Sequence, residues 1–179
     1  YNDEGALLDG TLGEDPFGAL IHHAREGEDQ DLLLTGAMID GELALFGLGA
    51  GGTPRLLHQT TLTAGLFAFA ENPVTGDIYT SHKTSSVINA LRVEPAPADE
   101  VDPTLADTPT LTLKKTLVVP GSAIDDFARG LAVSPDGTRL YAAYRSPSSL
   151  LIFDVSPGAE ASRDVQLLTK VQVSGSPGD

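Results

Sequence analysis

The sequence contains no cysteine. Disulfide bridges, thiolate nucleophiles and cysteine-ligated metal sites are therefore excluded. Cationic residues are also scarce, because 11 Lys and Arg stand against 25 Asp and Glu, which gives a formal net charge of −14. Nucleic acids and anionic lipid headgroups are bound through cations that displace counterions. We therefore expect no nucleic-acid partner.

Long hydrophobic runs are missing as well. No stretch approaches the ~20 apolar residues that a membrane helix needs, so we expect no membrane span. No basic-then-apolar signal segment is seen, and the sequence begins at Tyr1 rather than Met. We expect the natural N-terminus to lie outside this sequence. The chain has 179 residues, 19 of them Gly and 12 Pro, a turn-rich composition that favours an all-β fold.

A repeated unit is clearest from Gly130 to Val155. A short apolar strand leads into the turn Ser134-Pro135-Asp136-Gly137, two further strands follow, and residues 165–173 supply a fourth. In this turn Pro presets φ, Asp caps the backbone and Gly supplies a positive φ. Four short antiparallel strands in sequence predict one blade of a β-propeller.

Two earlier copies of this unit precede it, so that the blades are predicted at residues 9–60, 61–119 and 120–175. Tyr79 and Tyr141 occupy matching positions after their turns. An acidic, proline-rich insertion from Glu94 to Thr110 lengthens the middle copy. Without it, the spacing approaches the ~40–50 residues of a propeller blade. The sequence predicts an all-β fold of about three four-stranded antiparallel blades, forming a partial β-propeller ring.

The last copy resembles a known repeat. Its segments Gly130 to Gly137, Leu140 to Ala143 and Leu151 to Asp154 resemble the YVTN-type β-propeller repeat of bacterial surface and periplasmic proteins. That superfamily is similar to seven-bladed lactonases and to the propeller domains of some amine dehydrogenases and of nitrous oxide reductase. The resemblance implies an extracytoplasmic bacterial protein, which is periplasmic, secreted or attached to the outer membrane as a lipoprotein. The turn at Glu71 to Gly76 departs from the Ser-Pro-Asp-Gly pattern, and residues 9–60 match loosely.

Three blades do not close a ring, since propellers have about four to eight. An open arc would expose sheet faces and edges, which favours aggregation. The sequence ends at Asp179, where a fourth blade would open. We therefore expect this chain to be a fragment of a larger propeller, or its ring to be completed by other chains.

Candidate binding residues follow from the propeller geometry. The loops before each first strand and those between second and third strands gather on one face, around the central channel. The first kind of loop supplies Asp15, Phe17, Asp125, Asp126 and Arg129, and the second supplies Asp40, His82, Lys83, Tyr144 and Arg145.

Five of these residues have two interpretations each. The pair Asp125-Asp126 could ligate Ca²⁺, which is the one candidate cofactor, or form a solvated loop. Arg129 could hold an anionic ligand in the channel, or form a salt bridge with either aspartate. His82-Lys83 could provide a general base and a cation, or serve as a solvated polar loop.

No catalytic or metal-binding set is recognisable. His22 and His23 are adjacent on a strand, so their side chains point in opposite directions and do not share a metal. Ser134 and Ser146 have no histidine and acid at a helpful spacing, so nothing supports a nucleophilic triad. We therefore expect a non-catalytic binding or scaffold propeller, whose partner is another protein or the rest of its own ring. The insertion from Glu94 to Thr110 is a candidate docking element. The alternatives are a lactonase-like hydrolase acting at the channel and a subunit that serves a redox partner.

Overall fold

The computed structural model describes residues 15–26, 28–49, 53–83, 85–95, 108–118, 128–145, 148–157 and 167–172. In these ranges every regular element is a β-strand. The strands are β1 (Pro16–His22), β2 (Asp31–Ala37), β3 (Glu42–Leu48), β4 (Pro54–Thr61), β5 (Leu66–Glu71), β6 (Ile78–His82), β7 (Ser85–Pro95), β8 (Pro109–Val118), β9 (Ala128–Val133), β10 (Arg139–Arg145), β11 (Ser148–Asp154) and β12 (Leu167–Gln172).

The strands form three four-stranded sheets, in the orders β1-β2-β3-β4, β5-β6-β7-β8 and β9-β10-β11-β12. Each strand pairs with its neighbour in sequence, and the registered pairs are antiparallel. This up-and-down order is that of a propeller blade. The predicted fold class is confirmed: the chain is all-β, with three four-stranded antiparallel blades of a β-propeller.

The chain divides into two compact units. The first comprises residues 1–66 and 93–112, and the second comprises 67–92 and 113–179. In the first unit, Leu32 and Leu34 alternate along β2 with half-buried neighbours, as expected of a strand with one face in a core. Leu43 and Leu45 on β3 are also fully buried.

The core of the second unit contains residues of the middle and last sheets. Tyr79 and Ala90 face each other across β6 and β7, while Leu140 and Phe153 face each other across β10 and β11. All four are at most 8% exposed, and they belong to one buried cluster. Burial of this apolar surface is the main favourable contribution to folding.

The turn between β9 and β10 has the predicted form. Gly137 has φ of 69°, and its amide donates to the Ser134 carbonyl at 2.9 Å. The Asp136 carboxylate accepts hydrogen bonds from the Ser134 hydroxyl at 2.6 Å and from the Thr138 amide at 3.1 Å. Together with the Thr138 hydroxyl, these donors lower the pKa of Asp136 to about 2.

The turn between β5 and β6 uses asparagine at the position of Ser134. Asn72 is fully buried, and its side-chain carbonyl accepts from the Val74 amide at 2.9 Å. Its side-chain amide donates to the Gly137 carbonyl at 2.9 Å. One side chain thus closes its own turn and ties it to the equivalent turn of the next sheet. This contact gives the asparagine at the position of Ser134 a role that a serine there would not fill.

Two ion pairs occupy equivalent places in the β6–β7 and β10–β11 hairpins. Arg92 binds the buried Asp77 carboxylate, with 2.6 Å between Nη2 and Oδ1. Arg139 lies 3.2 Å from Asp154, its register partner across the strands. The two pairs lie at corresponding cross-strand positions, but their charges are reversed. The acid precedes the arginine in the β6–β7 hairpin, whereas the arginine precedes the acid in the β10–β11 hairpin.

The predicted insertion begins and ends in strand residues. Glu94 and Pro95 belong to β7, and Pro109 and Thr110 belong to β8. The Thr110 hydroxyl donates to the Glu94 carbonyl at 3.1 Å, so the hairpin continues into the segment assigned to the insertion. Residues 96–107 lie outside the described part of the chain.

Candidate functional site

The end of β6, the start of β9 and the end of β10 carry most of the predicted site residues. Lys83 directly follows β6 and is exposed, and Arg129 is the exposed second residue of β9. Tyr144 pairs with Ala128, so β9 begins at the end of the last sheet where β10 finishes at Arg145. Asp125, Asp126 and the side chain of Arg145 fall outside the described residues.

Five of the predicted loop residues lie in strands instead: Phe17 in β1, His82 in β6, Arg129 in β9, and Tyr144 and Arg145 in β10. Two of the five are also buried. His82 is the last residue of β6, with a relative exposure of 0%, and Tyr144 lies within β10 at 5%. Tyr144 packs in the core cluster of the second unit. The prediction that both lie in channel-face loops is wrong, because their strands continue further than the turn residues suggested. His82 is not part of a solvated loop either.

A buried polar network surrounds His82. Its Nε2 atom lies 3.2 Å from the Thr80 hydroxyl and 3.0 Å from the Asn89 side-chain amide nitrogen. The Asn89 side-chain carbonyl accepts from the Thr116 hydroxyl at 2.8 Å. Such buried polar groups rigidify a sheet when their hydrogen bonds are satisfied.

The geometry fixes the role of the imidazole. An amide nitrogen only donates, so His82 Nε2 accepts from Asn89, which requires a neutral ring with its proton on Nδ1. A general base needs an unprotonated nitrogen within hydrogen-bond reach of a substrate proton. The Nε2 lone pair is occupied and the side chain is buried, so His82 orders β6 and β7 rather than offering a base.

The adjacent histidines of the first unit diverge as predicted. His22 is buried, with Nε2 3.2 Å from Glu28, whereas the His23 side chain is 79% exposed and 3.3 Å from Asp31. The Ala24 amide and His23 lower the pKa of Asp31 by hydrogen bonding to it. Among the described residues, no three His, Asp or Glu side chains form a group that could hold a metal ion.

The remaining candidates of the first unit are reachable from solvent. Phe17 on β1 is 40% exposed, and Asp15 before it has φ of 60°. Asp40 is exposed in the turn after β2, where its carboxylate accepts a hydrogen bond from the Glu42 amide at 3.0 Å. Phe17 is thus the only large apolar side chain among the predicted binding residues with substantial described exposure.

Sequence reasoning missed the partners of His82 and the ion pair at Asp77. Asn89 and Thr116 are 27 residues apart, a separation that no local motif reveals. A signal existed for the strand, since Thr80 and His82 alternate as expected for one face of a sheet. An alignment of the β6–β7 hairpin with the β10–β11 hairpin matches Asp77 to Arg139 and Arg92 to Asp154. It therefore shows a pair of opposite charges at the same place in each hairpin.

Comparisons with known proteins support the fold. No protein-family model matches the sequence. No curated protein matches it either. A crystal structure of a protein from Lactobacillus plantarum is similar to this chain, with a TM-score of 0.63 and 18% identity. The match covers 89% of this chain and 45% of that protein, so this chain spans about half of the neighbour's length.

Within the described residue ranges, no helix has the length and apolar character needed to cross a membrane.

Proposed function

We propose that this chain is part of a larger YVTN-type bacterial propeller, located outside the cytoplasm, that binds a protein partner and catalyses no reaction. The observation that carries this proposal is the state of His82. The one histidine predicted as a base is buried, and its Nε2 atom is engaged by Asn89. The reachable polar candidates of the second unit are the cations Lys83 and Arg129, which suit binding better than proton transfer.

The proposed binding surface of the second unit comprises Lys83 and Arg129. In a propeller, second strands end and first strands begin on the same face. Only 11 residues of the chain are Lys or Arg, so two exposed cations at such a face favour an acidic segment as the partner. That segment belongs to another protein or to a further part of the same polypeptide.

A crosslinking experiment tests the binding surface. A photoreactive amino acid replaces Lys83 or Arg129 in the full-length protein inside the native bacterium, with the exposed Arg55 of β4 as the matched control. We expect one defined adduct from the first two positions and none from Arg55. Equal adducts from all three positions would show that the surface has no selectivity.

A second measurement tests the absence of catalysis. The purified full-length protein is incubated with a panel of lactones and aryl esters, and we expect hydrolysis at the rate seen without protein. Turnover that disappears in a folded His82→Gln variant would overturn the proposal and favour the lactonase-like alternative.

A further inference from the structure

The sequence contains three Asp-Gly dipeptides, at positions 9–10, 40–41 and 136–137, and the last two lie in the described part of the chain. In such a dipeptide the backbone nitrogen of glycine can approach the aspartate side chain, because glycine has no Cβ to obstruct it. Both described dipeptides lie in turns between neighbouring strands, Asp40 after β2 and Asp136 after β9. The same chemical group is thus present in two different surroundings.

The turn between β2 and β3 accounts for the first dipeptide. Gly41 has φ of 75°, and a Cβ atom there would lie 2.7 Å from the carbonyl oxygens of both Leu62 and Thr63. Only glycine suits this conformation and this space. The exposed Asp40 carboxylate accepts a hydrogen bond from the Glu42 amide at 3.0 Å, a side-chain turn that favours aspartate and asparagine. The turn therefore favours an Asp-Gly bond at this place.

The hydrogen bond from Glu42 also orients the Asp40 side chain. Because it spans the intervening Gly41, the carboxyl group lies over the peptide unit between the two residues. The backbone of this turn is itself held, since the Leu62 amide donates to the Gly41 carbonyl at 2.9 Å. The Cγ atom of Asp40 and the backbone nitrogen of Gly41 are thus neighbours in an ordered turn, which favours a reaction between them.

The dipeptide Asp136-Gly137 is held in an unreactive state. Its carboxylate accepts the Thr138 amide at 3.1 Å, and the hydroxyl groups of Ser134 and Thr138 donate to it at 2.6 and 2.9 Å. These donors stabilise the ionised form and lower the pKa of Asp136 to about 2. The Gly137 amide hydrogen is bound to the Ser134 carbonyl at 2.9 Å. An ionised carboxylate resists attack by a nucleophile, so this turn protects its own Asp-Gly bond.

We propose that Asp40 is a site of covalent modification, at which aspartate converts to isoaspartate in the folded protein. In the first step the Gly41 nitrogen attacks Cγ of the protonated Asp40 carboxyl group. A C–N bond forms, and the carboxyl hydroxyl group and the amide proton leave together as water. The product is a five-membered succinimide ring.

Hydrolysis of the succinimide completes the modification. Water adds to the ring carbonyl that was the backbone carbonyl of Asp40, the bond from that carbon to the Gly41 nitrogen breaks, and the nitrogen takes the proton of the water. The chain then runs through Cγ and has one more methylene in its backbone. One water leaves and one enters, so no other reactant is needed. The modification lengthens a turn that carries a candidate binding residue, and it does not depend on the proposed function.

Peptide mapping of the aged protein tests this proposal. The full-length protein is kept at neutral pH for several weeks and digested with trypsin, and electron-transfer mass spectrometry then distinguishes isoaspartate from aspartate. We expect isoaspartate to form at Asp40 at least about tenfold faster than at Asp136, because the lowered pKa of Asp136 leaves less than about a tenth of the reactive protonated form. No isoaspartate at Asp40, or equal rates at the two sites, would overturn the proposal.

Unfolding provides the matched control. In guanidinium chloride both dipeptides lose their hydrogen bonds, so we expect the two sites to react at similar rates. A difference that is the same in the folded and the unfolded protein would show that the local sequence alone governs the reaction, and would overturn the proposal.

Two variants assign the chemistry. Asp40→Glu requires a six-membered ring in place of the succinimide, so we expect it to abolish modification of the first turn and leave the rate at Asp136 unchanged. Ser134→Ala removes a hydroxyl donor from Asp136, and we expect it to raise the rate there severalfold. A Ser134→Ala variant that stays as unreactive as the wild type at Asp136 would contradict the explanation of the difference between the two turns.

Discussion

At the scale of single residues, the contact between two turns depends on a glycine. A Cβ atom at Gly137 would lie 2.5 Å from Asn72 Oδ1 and 2.8 Å from Val74 Cβ. The positive φ of 69° at Gly137 is also unfavourable for any L side chain. Both the local conformation and the neighbouring turn therefore require glycine at this position.

Replacing Gly137 with alanine tests this requirement. We expect Gly137→Ala to lower the free energy of unfolding by about 2–4 kcal/mol, measured by urea denaturation. Gly130→Ala is the matched control in β9, because no atom lies within 4 Å of a Cβ there. The control should leave stability unchanged or raise it by up to about 1 kcal/mol. Similar losses in both variants would contradict the explanation.

The carboxylate of Asp136 makes the same turn sensitive to acid. Its pKa is about 2 in the folded protein against an ordinary value of 3.8, so its ionised form is stabilised by folding. That stability is present above pH 3.8 and is lost as the pH falls through the folded pKa.

Urea midpoints of the wild type and Asp136→Asn, measured from pH 7 downward, check this pH dependence. We expect the wild type to be more stable at neutral pH and the difference to shrink below about pH 4. The exposed Asp29, changed to Asn, serves as the control for loss of one charge. A difference that stays constant down to the lowest pH would show that the Asp136 charge contributes nothing.

At the scale of elements, two equivalent hairpins carry ion pairs of different burial. The side chain of Asp77 is 4% exposed and that of Arg92 is 33% exposed, whereas Arg139 and Asp154 are 38% and 31% exposed. Removing one partner of a buried pair leaves a charge without compensation, which costs far more than breaking a hydrated pair. We therefore expect the pair of Arg92 and Asp77 to contribute more to the free energy of unfolding than the pair of Arg139 and Asp154.

The comparison of Arg92→Gln with Arg139→Gln measures this difference. We expect the first substitution to lower the free energy of unfolding by about 3 kcal/mol and the second by less than about 1 kcal/mol. Each variant is the control for the other, since both remove an arginine from one hairpin position. Equal losses would show that burial of Asp77 does not govern the effect.

The strands could be read from the sequence, but the contacts between them could not. Apolar runs and the turn Ser134 to Gly137 located β9, β10 and β11 to within a few residues. The propeller geometry predicts His82 and Tyr144 in the loops between second and third strands, whereas both lie in strands. Their burial depends on partners distant in sequence, such as Thr116, which no local pattern contains.

At the scale of the whole molecule, the excess of acidic residues opposes folding. The formal net charge is −14 at pH 7, and the sequence pI is about 4.4. Like charges repel one another more strongly in the compact state, and salt screens this repulsion with a Debye length of about 10 Å at about 0.1 M.

We therefore expect the urea midpoint at pH 7 to rise when NaCl is increased from about 0.02 M to about 0.5 M. The rise should shrink near pH 4.4, where the net charge approaches zero. This second condition is the control, because it keeps the salt and changes the charge. A midpoint that falls with salt at pH 7 would indicate that favourable ion pairs outweigh the repulsion.

The fold class could be predicted from the sequence because one strand pattern repeats along the whole chain. A cavity of about 220 Å³ in the second unit could not be predicted in this way. Three copies of one strand pattern indicated blades without knowledge of any contact. The cavity is lined by residues as distant in sequence as Asp77 and Asp154 and by two adjacent lysines of β8. Its volume depends on how two sheets pack, which single-sequence patterns do not determine.

The exchanged ion pairs also bear on how a chain of similar hairpins avoids joining the wrong strands. If β6 paired with β11 instead of β7, Asp77 would face Asp154. If β10 paired with β7, Arg139 would face Arg92. Like charges opposite each other destabilise a strand pair, and neighbouring repeats are prone to misassembly during folding. Because the charges are reversed between equivalent positions, β6 pairs more favourably with β7 than with β11, and β10 pairs more favourably with β11 than with β7.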